Sequence, residues 1–135
     1  MLVIHPMSLP EVRQDWGWIR NGLLEVIGRC SERWSPEDAW TSVMGGQSFL
    51  WRIERAGDDI GFLLLRRLDD PDGPVLFIWA AWAEPGSLAK HGKELFERLV
   101  EIAHRIGAKR MRMESPRKGW AEWFEQRSII WEYEV

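Results

Sequence analysis

The residues best placed for chemistry lie between Pro74 and Gly107. Nine apolar residues in a row, Val75–Ala83, read as a strand buried on both faces. The segment Glu84-Pro85-Gly86 breaks the run, and an amphipathic helix over Leu88–Ile106 follows, closed by Gly107. A buried strand that feeds a helix N-terminus is where backbone N–H groups and the helix dipole favour an anion. Around that point stand Trp82, Ala83, Glu84, Gly86, Ser87, Lys90, His91 and Gly92. Ser87 reads as a helix cap and not as a nucleophile. His91, in the first turn of the expected helix, is a phosphate contact or a surface residue. Glu84 ends the strand, a position open to solvent.

The remaining reactive types form no constellation. Cys30 is the lone cysteine, with no adjacent His or base, and reads as a small apolar packing group. It also precludes an internal disulfide, which suits a reducing compartment. His5 and His104 have no partner pattern, and no spacing resembles a metal site. The densest basic cluster is Lys109, Arg110, Arg112, Arg117 and Lys118. Arg117 and Lys118 with Trp120 suit an acidic partner or a phosphate, or else form a solvated loop.

The bulk of the chain bounds the alternatives. It has 135 residues, enough for one domain with a substantial core, and is read as one domain over 1–135. A net charge of −3 argues against a nucleic-acid partner held by overall charge. No run approaches the length of a membrane span, and the opening Met1–Met7 lacks the pattern of a secretory leader, so a cytoplasmic location is expected. Ten tryptophans stand out, more than a core of this size is expected to hide. Some are expected to fill the core and others to line a groove or an assembly interface.

The elements that must position these residues follow from pattern. Ser8-Leu9-Pro10-Glu11 is a capping box opening one helix with apolar positions Val12, Trp16, Ile19, Leu23 and Val26, which fades near Gly28–Ser31. Ser35-Pro36-Glu37-Asp38 opens a second, short helix that stops at Gly45-Gly46. Period-two alternation over Ser48–Arg55, a turn at Ala56–Asp59, a strand over Ile60–Leu68, a turn at Asp69–Gly73 and the strand Val75–Ala83 predict an antiparallel meander. The helix Leu88–Ile106 then leads to a return strand, Lys109–Glu114, expected to run parallel to Val75–Ala83. A loop at Ser115–Gly119, a short helix over Trp120–Arg127 and a strand over Ile129–Val135 complete the order ααβββαβαβ. The expected class is α+β, with a mixed, mostly antiparallel central sheet flanked by helices.

This order resembles the GNAT (N-acetyltransferase) fold over nearly the whole chain. Gly46-Gln47-Ser48-Phe49-Leu50-Trp51, Phe77-Ile78-Trp79-Ala80-Ala81 and Arg117-Lys118-Gly119-Trp120 are similar to a phage-encoded GNAT-like group that includes the T7-type internal virion protein A. The resemblance implies an acyl-CoA notch where Val75–Ala83 and Lys109–Glu114 splay apart. It also implies pantetheine pairing near Trp82–Glu84, pyrophosphate at the start of the long helix, and Glu84 as a base acting through water.

Two hallmarks of that fold are missing. Its phosphate loop has Gln or Arg, two residues, Gly, one residue, then Gly or Ala, whereas Gly86 and Gly92 here are six apart. Its usual acid is a tyrosine in the last helix, where this chain has Phe124; the single tyrosine is Tyr133. The resemblance therefore favours a GNAT-fold, phage-type protein with a degenerate acetyl-CoA site. It would act in the cytoplasm or the virion as a binding, assembly or host-interaction module with a phage structural or host protein as partner. The alternative is an acyl-CoA-dependent N-acetyltransferase with an atypical loop and active site. No metal is expected in either case.

Overall fold

The computed structural model describes residues 1–29, 34–88, 90–114, 125–127 and 130–135. Among these, strand β1 (Leu2–Pro6) precedes helices α1 (Leu9–Gln14), α2 (Trp16–Arg29) and α3 (Pro36–Met44). Strands β2 (Ser48–Arg55), β3 (Asp58–Asp70) and β4 (Gly73–Ala83) follow, then α4 (Gly92–Arg105), β5 (Arg110–Glu114), β6 (Glu125–Arg127) and β7 (Ile130–Glu134). The strands form one sheet in the order β1-β2-β3-β4-β5-β7-β6. Every pairing is antiparallel except β4 with β5, so the expected α+β class and crossover are found.

Local chemistry accounts for the connections. Ala56 and Gly57 both adopt positive φ (53° and 85°), the signature of the two-residue turn whose twist matches a hairpin. Pro71-Asp72 turns the next hairpin, and Gly73 (φ 117°) receives the chain. Helix α3 keeps its expected start: the Ser35 side chain accepts from the Asp38 N–H while the Asp38 carboxylate accepts from the Ser35 N–H.

The sheet separates two apolar layers. Leu95, Leu99 and Ile102 of α4 pack with Leu2, Ile53, Leu63, Leu65, Leu76 and Ile78 on one face. Helices α1–α3 cover the other face, where Val12, Ile19, Leu23 and Val43 meet Leu50, Phe62, Leu64 and Ala80. Six tryptophans (Trp16, Trp18, Trp34, Trp40, Trp79 and Trp82) pack against this second layer, whereas Trp51 belongs to the first. Large rings thus fill one side of the sheet, in line with a core role for part of the tryptophans.

Several expectations need correction. Strand β1 was not foreseen, because five residues ending in proline carry little pattern; pairing with β2 and a bond from the Leu2 N–H to Glu94 Oε1 (2.7 Å) hold it. The first expected helix is two, broken at Asp15 (φ −99°, ψ 13°), whose carboxylate binds Arg52 on β2. The long helix begins at Gly92 and not at Leu88, and His91 is its N-cap residue. Residues Glu125–Arg127, expected in a helix, form a strand paired with β7. The rest of that expected helix lies outside the described residues.

Arg52 sits in the α1–α3 layer with only 6% of its surface exposed. Burial works against its charge, but Asp15 and Asp59 outweigh that and raise its pKa. Its guanidinium binds Asp15 and Asp59 (2.5 Å to the latter), and the Trp18 ring lies 6.0 Å away. One side chain thereby joins the α1–α2 junction to the β2–β3 hairpin.

Candidate functional site

The site begins at an irregularity in β4. Leu65 pairs with Ile78, yet Leu64 pairs with Ala80, so Trp79 is an extra residue in the ladder. The bulge reverses side-chain parity. Leu76 and Ile78 face the α4 layer, whereas Ala80 and Trp82, at the same spacing, face α1–α3. Trp79 and Ala80 both point to the α1–α3 side.

The bulge coincides with the end of the parallel pairing. Strand β4 pairs with β5 only from Val75–Arg110 to Ile78–Met113. From Trp79 to Ala83 no described strand borders β4 on that side, while β3 continues on the other as far as Gly61–Ala83. The backbone N–H and C=O groups of alternate residues in this stretch, those that do not bond β3, therefore face the notch with no strand partner among the described residues.

Beyond Ala83 the chain turns tightly. The Ser87 N–H donates to the Glu84 carbonyl (3.0 Å), with Pro85 and Gly86 (φ 77°) at the central positions, a type II turn that requires a residue tolerant of positive φ. The Ser87 hydroxyl donates to the same carbonyl (2.6 Å). Ser87 is thus consumed by the turn and caps no helix, a correction to its sequence assignment. Its carbonyl accepts from Arg55 Nη1 (3.0 Å), and the Glu84 N–H donates to the Ile60 carbonyl (2.8 Å), so the turn is pulled toward the β2–β3 hairpin. There Glu84 lines an open concavity with Asp58, Asp59 and Arg55.

Helix α4 starts after this turn, and the His91 side chain makes no capping hydrogen bond. The N–H groups of its first turn, with Gly92 at the first helical position, have no side-chain cap. Lys90 is exposed beside them. Glu94, one turn in, accepts from the Leu2 N–H and lies 3.3 Å from His91 Nδ1. The Leu2 bond, with a smaller contribution from His91, holds the Glu94 carboxyl below its ordinary range.

Trp82 is fixed on several sides. It stacks on Phe62 (5.5 Å, 28°), presents an edge contact to Trp18 (5.6 Å, 84°), and donates from Nε1 to Glu25 Oε2 of α2 (2.7 Å). Gly22 lets α2 lie on this pair, since a Cβ there would stand 2.6 Å from the Phe62 ring. Trp34 packs on Trp79 at the bulge (5.1 Å), and its buried Nε1 has no acceptor among the described residues.

The structure thus brings Trp82, Ala83, Glu84, Gly86 and Ser87 to the end of β4, and Lys90, His91 and Gly92 to the start of α4. Arg117, Lys118 and Trp120 lie outside the described residues. Sequence reasoning missed the bulge at Trp79 and missed Glu25, whose partner is distant in the chain; Gly22 reads in the sequence as a point where the helix bends or packs closely, and the close approach is to the Phe62 and Trp82 rings. No cluster of metal-ligating side chains occurs among the described residues, and no described helix is long and apolar enough to cross a membrane.

No protein-family model matches the chain, and no curated protein sequence does. Solved structures do. A predicted acetyltransferase from Clostridium acetobutylicum, solved with acetyl-CoA, superimposes with a TM-score of 0.68 at 15% identity, covering 95% of this chain and 92% of that one. The PaiA N-acetyltransferase of Thermoplasma acidophilum, in complex with coenzyme A, gives 0.62 at 15% identity over 100% and 99%. The ribosomal-protein-S18-alanine N-acetyltransferase of Escherichia coli gives 0.66 at 12% identity over 100% and 94%. The chain therefore has the GNAT fold, an α+β architecture with a mixed sheet between helices.

Proposed function

We propose that this chain is an acetyl-CoA-dependent N-acetyltransferase with an atypical phosphate loop. The observation that carries the reading is the open edge of β4: a bulge at Trp79, five residues without a β5 partner, and an α4 N-terminus just beyond. The fit is good at this edge, because its outward backbone groups have no strand partner on the notch side among the described residues. One of the similar structures holds acetyl-CoA and another coenzyme A, which supports the same ligand class here.

The roles divide among this chain's residues as follows. Backbone of Trp79–Ala83, including Trp82 and Ala83, pairs with the amide-bearing arm. The first-turn N–H groups of α4, from Gly92, and the ammonium of Lys90 take the phosphates, with the Gly86–Ser87 turn and His91 at the rim. Bound acetyl-CoA supplies an activated thioester carbonyl. The proton of the attacking amine leaves through water to Glu84, the exposed carboxylate that follows β4. Phe124 has no proton to donate, so this chain would leave protonation of the thiol to solvent.

Calorimetric titration with acetyl-CoA tests the reading. Micromolar binding is expected in the wild type, weakened at least tenfold in Lys90→Glu. Absence of binding at millimolar ligand would overturn it.

A second reading has its own support. Glu84 and Glu94 place two carboxylates on either side of Gly86–His91, which opposes a pyrophosphate. A phage-type GNAT module that binds a phage structural or host protein instead of acetyl-CoA accords with this, and predicts the null titration.

A further inference from the structure

We infer that Glu25 is a specificity residue that makes this site select an acceptor bearing a positive charge in addition to the amine that reacts. The inference rests on the N-acetyltransferase reading above.

Glu25 lies on α2, the helix that crosses β4, and it is exposed. Its Oε2 accepts from Trp82 Nε1 at 2.7 Å, which fixes the carboxylate over the segment of β4 that has no β5 partner. The indole that holds it is itself immobilised: Phe62 stacks on it, Trp18 meets it edge-on, and the α2 backbone at Gly22 lies against both rings. Phe62 is fully buried, so this stack is anchored in the core. The carboxylate is therefore held in place before any ligand arrives, and little side-chain freedom is lost when it is used.

Glu25 is also unspent. A carboxylate accepts about four hydrogen bonds, the indole supplies one, and no cation pairs with Glu25 among the described residues. The contrast with the other carboxylates on this side of the sheet is clear: Asp15 and Asp59 are engaged by Arg52, and Glu37 by Arg20. A charge-assisted bond to a fixed carboxylate is stronger than a neutral one, and Trp82 adds an aromatic edge beside it. The reacting nitrogen must be neutral to attack a carbonyl, so the group Glu25 holds is a second, charged one. Glu25 touches the acceptor away from the bond that forms and takes no proton.

The test uses the wild-type chain and 1,4-diaminobutane as probe, with 1-butanol as the uncharged control. The indole N–H resonance of Trp82 is assigned in a ¹⁵N–¹H spectrum by its loss in Trp82→Phe. The diamine is expected to move that resonance saturably, and 1-butanol is not. In Glu25→Gln, which keeps an acceptor oxygen for the indole, the diamine response is expected to weaken at least tenfold, and Glu25→Asp to retain part of it. No response in the wild type, or an equal one in Glu25→Gln, would overturn the inference. Acetyl-CoA titration of the same samples is read separately: its failure in the wild type defeats the transferase reading, whereas its survival in Glu25→Gln with the diamine response lost isolates the acceptor role.

Discussion

Gly61 on β3 lies so close to β4 that a Cβ there would overlap the Trp82 carbonyl oxygen and stand 2.9 Å from the Ala83 Cα. The absent side chain lets the last residues of β4 reach the β3 ladder, where Gly61 pairs with Ala83 and the Glu84 N–H reaches Ile60. Gly61→Ala forces backbone apart, since no flexible side chain is available to yield. A loss of about 1–3 kcal/mol is expected, together with weaker acetyl-CoA binding, because the strand that lines the notch moves. Chemical denaturation and calorimetry measure the two effects; an unchanged midpoint would contradict the close approach.

Gly22 makes the equivalent demand from the helix side. Replacement by alanine gains about 0.8–1.0 kcal/mol of helix propensity, yet the new methyl meets the rings of Phe62 and Trp82 at 2.6 and 2.8 Å. Overpacking of about 1–3 kcal/mol outweighs the gain. A lowered thermal midpoint is expected, with a shifted Trp82 indole resonance. A raised midpoint would mean that propensity wins and that the rings move aside.

Arg52→Met removes the cation that joins Asp15, Asp59 and, at 3.9 Å, Glu11. The Asp15 and Asp59 side chains are 34% and 42% exposed and rehydrate when it is gone. The loss is therefore that of charged hydrogen bonds, about 1.5–3 kcal/mol, and falls short of a stranded buried ion. A double-mutant cycle with Asp15→Asn reads the coupling, and a value near zero would refute it.

Glu94 makes stability depend on pH. Its folded pKa is lowered by the Leu2 N–H from an ordinary value of 4.5, so it contributes stability above that value and loses the contribution as pH falls through the depressed one. The difference in urea midpoint between wild type and Glu94→Gln is expected to be largest near neutrality and to shrink below about pH 4. A difference that stays constant over this range would exclude the linkage.

Glu84→Gln tests the proton acceptor of the proposed transfer. A drop in kcat of at least about tenfold is expected, within the usual reach of general base catalysis, at an unchanged KM for acetyl-CoA. A wild-type rate would move the proton directly to solvent.

Much of this architecture is legible in the sequence, and the reasons differ by element. Helix α4 shows its stripe because Leu95, Leu99 and Ile102 recur at helical spacing. The meander is legible because turn residues punctuate it. The bulge at Trp79 is not, since nine consecutive apolar residues carry no parity to interrupt. The break at Asp15 is tertiary, made by an arginine 37 residues away. The start of α4 was misplaced because a serine after a Pro-Gly pair suits both a turn and a cap, and here the turn takes its hydroxyl. The location of the candidate site was readable from the strand-to-helix junction. Its wall was not, because Glu25 and Trp82 are separated by 57 residues.

The extra residue in β4 works as a phase shifter. Downstream of it every side chain lies on the face opposite to the one that simple alternation from Leu76 assigns. Deleting one residue between Trp79 and Ala83 would remove the extra residue and leave Trp82 on its present face, whereas inserting one beyond the bulge would turn Trp82 under α4, away from Glu25. The same length change at Ala56-Gly57 or Pro71-Asp72 alters only a hairpin tip. Tolerance to single-residue insertions, scanned along the meander, should therefore fall at this one short segment, while a single deletion there is accepted.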